Sequence, residues 1–209
     1  MPAWRSRITE QRPPQPAPTP SALDDASVVR AVLDGDRDTF RVLVDRESAA
    51  IVRACYRILG DMHEAEDVAQ EAFVSAYRSL ASWRGEGPIG AWLSRIAVRL
   101  ALRQAGRRKA VTWARPIGEL ETDTVASLPA GSRTQPEQVA LRAERASATR
   151  RALAGLDEPY REVVALRFFG ERSLDEIATL TGRPLGTVKT HLRRGLLRLR
   201  DGLDPRGMA

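Results

Sequence analysis

What this chain of 209 residues has little of narrows its function before any motif is considered. Its single cysteine, Cys55, leaves no partner for an internal disulfide, and no cysteine–histidine cluster has the spacing of a zinc site. Cys55 reads as a small buried apolar residue rather than a redox group. Aromatic residues are only 5% of the chain. A core must therefore come from Leu, Val, Ile and Ala, which suits packed helices better than sheets. No apolar run approaches the roughly 20 residues needed to cross a bilayer, so no membrane insertion is expected. The basic N-terminus lacks the apolar segment of a secretory signal, which points to a cytoplasmic protein. His63 lies beside Glu64 and Glu66 but has no second histidine at ligand spacing. No nucleophile–base arrangement or phosphate-cradling loop is present either. No catalytic residue, metal, cofactor or enzymatic activity is expected.

What is present is cationic charge in a particular arrangement. The formal net charge is +6, which suggests a polyanionic partner. The first 20 residues are rich in proline and hold almost nothing that could pack. From Leu23 to about Gly106 the pattern is helical, broken at Gly35, Gly60 and Gly85–Pro88. Periodicity is then lost through a stretch carrying Pro116, Pro129, Gly131 and Pro136 with an acidic middle, and it returns from Glu137 to Leu203. The expected fold is all-α, with two small helical domains joined by a flexible linker, the C-terminal one a helix-turn-helix. The expected boundaries are a disordered tail over 1–21, a first domain over 22–109, a linker over 110–136 and a second domain over 137–203.

In the second domain, Ser173 followed by Glu176 has the form of a capping box. Leu174, Ile177 and Ala178 give the helix that follows an apolar side. Gly182 supplies the left-handed backbone that ends a helix, and Pro184 is tolerated where the next one starts. Ala178 before the turn and Val188 after it complete helix-turn-helix spacing. No acid occurs between Ile177 and Arg200. Arg183, Pro184, Gly186, Thr187, Lys189, Thr190, Arg193 and Arg194 occupy the turn and the leading half of the second helix, the part that reaches base edges in such motifs. Leu192, Leu196 and Leu199 are expected to form its buried stripe.

The first domain contains two helices of opposite character. Between Asp61 and Glu71 lie five acids and no Lys or Arg, with Ala69, Ala72, Phe73, Ala76, Tyr77 and Leu80 recurring behind them at helical spacing. Such a helix suits a protein surface and not DNA. Further on, Ile89, Trp92, Leu93, Ile96, Ala97 and Leu100 form an apolar stripe. Arg95, Arg99, Arg103 and Arg107 recur every four residues beside it, followed by Arg108 and Lys109, with no acid between Gly87 and Lys109. Four-residue steps drift only about 40° around a helix, so these arginines are expected to form one ridge that tracks a phosphate backbone. Trp83 and Arg84 precede it in a glycine-flanked loop, where an aromatic can stack on an unpaired base or simply belong to the core.

The strings AEDVAQEAFVSAYRSL, WRGEGPIGAWLSRIAVRLAL and LDEPYREVVALRFFGERSLDEIATLTGRPLGTVKTHLRRGLLRLR resemble the bacterial extracytoplasmic-function sigma factors of the sigma-70 family. The resemblance runs over about Asp36–Lys109 and Gln138–Asp201. It implies that Asp67, Gln70, Glu71, Phe73 and Tyr77 dock on core RNA polymerase. It implies that Trp83, Arg84, Trp92, Arg95, Arg99, Arg103, Arg107 and Arg108 melt and read the −10 element, and that the helix from Pro184 reads the −35 element as duplex. It implies promoter DNA and an anti-sigma factor as further partners, and an acidic linker that lies near the RNA path. Where relatives often carry Asn and Asp in the −10 helix, this chain has Arg99 and Arg103, which leaves the −10 bases open. A regulator that works without polymerase also carries a string like Val188–His191, but it would place a strand-containing domain upstream.

Overall fold

The computed structural model describes residues 24–114 and 136–203, and the expectations for the tail and for most of the linker fall outside them. Eight α-helices occupy the described residues: α1 (Asp25–Leu33), α2 (Phe40–Leu59), α3 (Met62–Ser79), α4 (Ile89–Ala114), α5 (Pro136–Ala154), α6 (Tyr160–Phe168), α7 (Leu174–Thr181) and α8 (Leu185–Leu203). No strand occurs among these residues, so the all-α expectation holds. Helix α4 continues to Ala114, which makes the first residues assigned to the linker helical.

The helix ends follow from local chemistry. Asp24 and Asp61 accept the backbone N–H groups of Ser27 and Glu64 at 2.7 and 2.8 Å, each satisfying a donor that the first turn leaves free. At α7 the capping box is complete: Glu176 N–H donates to Ser173 Oγ at 3.1 Å, and Ser173 N–H donates to the Glu176 carboxylate at 2.7 Å. Gly60 (φ 79°) and Gly182 (φ 66°) end α2 and α7 in the left-handed region, where a residue with a Cβ is strained.

Packing then arranges the helices. Alanines 65, 69, 72 and 76 form the buried side of α3, and their small size lets it lie close against α2 and α4. Ile51, Cys55 and Ile58 of α2 and Leu93, Ala97 and Leu100 of α4 fill the space between. The same buried cluster continues into the second half through Leu153, Leu156, Val163, Val164, Leu166, Ile177 and Val188. A separate smaller cluster joins Val28, Val29 and Val32 of α1 to Leu43, Leu80 and Ile89, with Trp83 and Trp92 packed against it.

Two patterns differ from expectation. Helix α4 is buried on more than one side: Ala91, Val98, Ala101 and Leu102, and the polar Ser94, are buried along with Leu93 and Ala97. The reason is that α6 and α7 cover the side that the first domain leaves open. In α8 the buried positions are Val188 and Gly195, flanked by the partly buried Leu192 and Leu199, whereas Leu196 is 37% exposed. A side chain at 195 would collide with α6: a Cβ there would lie 2.7 Å from Val164 Cγ2. The close approach selects glycine and turns Leu196 outward.

Candidate nucleic-acid interface

The turn from α7 into α8 presents a nearly continuous polar and cationic face. Pro184, Gly186, Lys189, Thr190, Arg193 and Arg194 are exposed and Thr187 is half-buried. Thr190 Oγ1 donates to the carbonyl of Gly186 at 2.9 Å, which fixes its rotamer on the helix surface. Val188, fully buried, anchors the face from behind. Lys189, Arg193 and Arg200 line an open groove of about 460 Å³ whose floor is Leu174, Leu192, Leu196 and Leu197. Arg183 is placed differently. It is half-buried and donates to the Glu162 carboxylate at 3.1 Å.

Helix α4 places its arginines in two groups. Arg99, Arg103 and Arg107 are exposed, each about 6 Å along the axis from the last, as expected of a backbone-tracking ridge. Arg95 does not belong to this ridge. It donates to the carbonyl of Leu180 and pairs with the Glu162 carboxylate at 3.3 Å. The side chain of Arg108 lies outside the described residues. Before the helix, Gly85 (φ 73°) and Gly87 (φ 104°) shape a tight loop, and Arg84 is exposed in it. Trp83 and Trp92 are half-buried against the α1 cluster. Trp83 therefore has a core-facing side as well as a solvent-facing one.

The acidic helix α3 presents one continuous face. Asp67, Gln70, Glu71 and Tyr77 are exposed, at spacings that share one side of a helix. Tyr77 is held by Phe40, the two rings edge to face at 5.1 Å between centroids. Phe73 is half-buried and packs against the core. Val74, 44% exposed, completes the face. Sequence reasoning passed over it, although it lies seven residues after Asp67 and four after Gln70.

Glu162 was also missed. It is 8% exposed and the sole buried carboxylate among the described residues, and it joins Arg95 of the first half to Arg183 of the second. An acid between Tyr160 and a run of apolar residues was the available signal. The histidines and acids form no group of three able to hold a metal among the described residues. Burial pushes the Cys55 thiol up to about 12, which keeps it in its unreactive protonated form. No described helix is long and apolar enough to cross a membrane.

Comparison with known proteins matches residues 43–111 to sigma-70 region 2 and residues 147–199 to sigma-70 region 4. The extracytoplasmic-function (ECF) RNA polymerase sigma factor SigW of Bacillus subtilis is 34% identical over 176 residues, covering 84% of this chain and 94% of its own. The RNA polymerase sigma-H factor of Pseudomonas aeruginosa is 32% identical over 87% of this chain and 94% of its own. The ECF RNA polymerase sigma-E factor of Escherichia coli is 31% identical over 87% and 93%. Among solved structures, CnrH in complex with the cytosolic domain of CnrY shares the fold with a TM-score of 0.54 at 23% identity, covering 85% of this chain and 95% of that one. The sigma factor RpoE of Bartonella quintana, in complex with the anti-sigma factor NepR, gives 0.50 at 22% identity, covering 78% and 96%. With an acidic helix, a basic helix and a helix-turn-helix in this order, the chain belongs to the extracytoplasmic-function sigma factors of the sigma-70 family, initiation factors that direct core RNA polymerase to promoters.

Proposed function

We propose a division of this activity among named residues. Asp67, Gln70, Glu71 and Tyr77, with Val74 between them, form the face of α3 that docks on the polymerase, and Phe73 supports it from the core side. Trp83, Arg84 and Trp92, with Arg99, Arg103, Arg107 and Arg108, engage the −10 element as it melts. Pro184, Gly186, Thr187, Lys189, Thr190, Arg193 and Arg194 read the −35 element in the major groove. The observation that carries this reading is the separation of charge: an exposed acidic face on α3 and acid-free cationic faces on α4 and α8.

The unit over 22–109 then acts at −10 and the unit over 137–203 at −35, with 110–136 spanning between them. Arg95 and Arg183 are both committed to Glu162 in this arrangement. For Arg95 to serve at −10 and Arg183 at −35, each would exchange that carboxylate for a DNA phosphate. An anti-sigma factor is a further partner, since a solved structure of the same fold is a complex with such a protein. The protein works in the cytoplasm and performs no catalysis of its own, because RNA synthesis belongs to the polymerase.

The test is native-gel mixing of the chain with core polymerase, followed by runoff transcription on a promoter library. The expected result is a stable complex that selects promoters with two spaced elements. Tight duplex binding by the free chain, without any association with core, would overturn the assignment and favour a regulator that acts without polymerase.

A further inference from the structure

Helix α1 precedes the residues matched to sigma-70 region 2, which begin at 43, yet it is bonded to the start of the −10 helix. One Asp25 carboxylate oxygen accepts the backbone N–H of Ile89, the first residue of α4, at 2.8 Å across 64 residues of sequence. The other oxygen pairs with the Arg46 guanidinium at 2.5 Å, and Arg46 Nε donates to Glu47 at 2.9 Å. Glu47 in turn lies directly against the backbone of α4, since a Cβ on Gly90 would fall 2.5 Å from its carboxylate. Two carboxylates thus sit at a helix N-terminus, where backbone donors are unsatisfied and negative charge is favoured. Arg46 bridges the pair and offsets one of its two negative charges. The apolar cluster of Val28, Val29, Val32, Leu43, Leu80 and Ile89 lies beneath the same loop and holds Trp83 and Trp92 from below.

We infer that α1 and the Asp25–Arg46–Glu47 bridge form a brace that sets the position of the Trp83–Ile89 loop, and that Arg46 is a positioning residue for −10 recognition. The inference rests on that loop reading the −10 element. A single-stranded base can be captured only by a pocket whose walls hold still, because unstacking it already costs a few kcal/mol. Gly85 and Gly87 leave the loop flexible on their own. Both of its ends are therefore fixed, one by the Trp83 N–H bond to the Leu80 carbonyl at 3.0 Å and the other by Asp25 on Ile89.

The experiment uses full-length chains assembled with core polymerase on a cognate promoter and on a panel of −10 variants. Permanganate reactivity reports strand opening, footprinting reports −35 occupancy, and gel mixing reports core binding. Arg46→Ala is expected to slow opening about tenfold, as loss of a hydrogen-bonded charged partner commonly does, and to flatten the preference among −10 variants. Core binding and −35 occupancy should stay at wild-type levels. Arg46→Lys should recover part of the loss, because one ammonium still places a positive charge beside the two carboxylates but cannot bridge them as a planar fork does. Asp25→Asn, which keeps an acceptor for Ile89, should be milder than Asp25→Ala.

Trp83→Ala and Arg84→Ala serve as controls for the loop itself. If they impair opening while Arg46→Ala opens normally with an unchanged −10 preference, the brace is overturned and the loop reading stands. If none of the three changes −10 behaviour, the loop reading itself fails. An equal loss of core binding, −35 occupancy and opening in Arg46→Ala would also overturn the brace, by making the residue a determinant of the whole fold.

Discussion

Helices α4 and α8 are both basic and both free of acid along their cationic stretches, yet the fold handles them in opposite ways. Helix α8 is seated on a narrow strip, Val188 and Gly195 with Leu192 and Leu199 at the edges, and turns most of its circumference outward. Helix α4 is walled in through its first ten residues, just under three turns, and its exposed cations begin only at Arg99. The difference fits the two kinds of recognition proposed for these helices. A helix that enters a major groove has to protrude, because the groove is about 12 Å wide and receives the helix itself. A helix that supports strand opening has to be rigid, because the bases it meets are mobile.

The seat of α8 is where this contrast breaks with the largest effect. Gly195→Leu places a side chain where even a Cβ lies 2.7 Å from Val164 Cγ2 and 3.4 Å from Tyr160 Cβ. Val164 is 3% exposed and has nowhere to move. Overpacking of this kind costs about 1–3 kcal/mol, and leucine belongs at the upper end. The expected result is a thermal transition lower by roughly 10 °C or more for the C-terminal half, with −35 binding lost and core association through α3 retained. Gly195→Ala should be much milder, since about 1 kcal/mol of helix propensity offsets part of the clash. An unshifted transition in the leucine variant would show that α8 does not need this close approach.

A second comparison sharpens the functional difference. Arg193→Ala should lower holoenzyme affinity for its own −35 sequence by about 1–3 kcal/mol and relax selectivity there. Arg103→Ala, on the exposed ridge of α4, should weaken binding to all sequences alike and reduce the slope of log affinity against log salt by about 1. Salt titrations on matched and mismatched promoters separate the two outcomes. If the sequence-dependent loss followed Arg103 and the uniform loss followed Arg193, the assignment of readout to α8 and tracking to α4 would be reversed.

The parts of this design legible in the sequence are those written within one helical turn. Asp61, Ser173 with Glu176, Gly60 and Gly182 mark helix ends because a cap bonds to a residue about three positions away or takes a backbone conformation of its own. The acidic side of α3 follows from helical spacing, but Tyr77, which that spacing puts in the apolar row behind the acids, is 39% exposed and joins that side. What stayed hidden depends on partners distant in sequence. Nothing near Arg95 shows that Glu162, 67 residues later, will draw it off the ridge. Nothing near Ile89 shows that Asp25 will cap it. Leucine at 196 looks like core until α6 is in place, when Gly195 proves to be the residue that faces it.

The smallest expected effect distinguishes α8 by its response to pH. His191 stands on α8 with its ring edge-on to Tyr160 at 5.5 Å between centroids, and its Nδ1 is buried without a hydrogen-bond partner. Burial, then the nearby charges of Arg183 and Arg194, hold its pKa below the usual 6.5. The folded state therefore binds the proton less well than the unfolded chain. The resulting stability is fully present above about pH 6.5 and declines as pH falls toward the folded value. Asp24, Asp36 and Glu171 are shifted in the same direction from 3.8, 3.8 and 4.5, so their contributions persist until the solution is more acidic than that. Between pH 7 and about pH 5 the melting temperature of the C-terminal half should fall in the wild type and fall less in His191→Gln. Equal declines in the two proteins would place the proton elsewhere. A decline confined to the wild type would tie the stability of α8, and not that of α4, to a single imidazole.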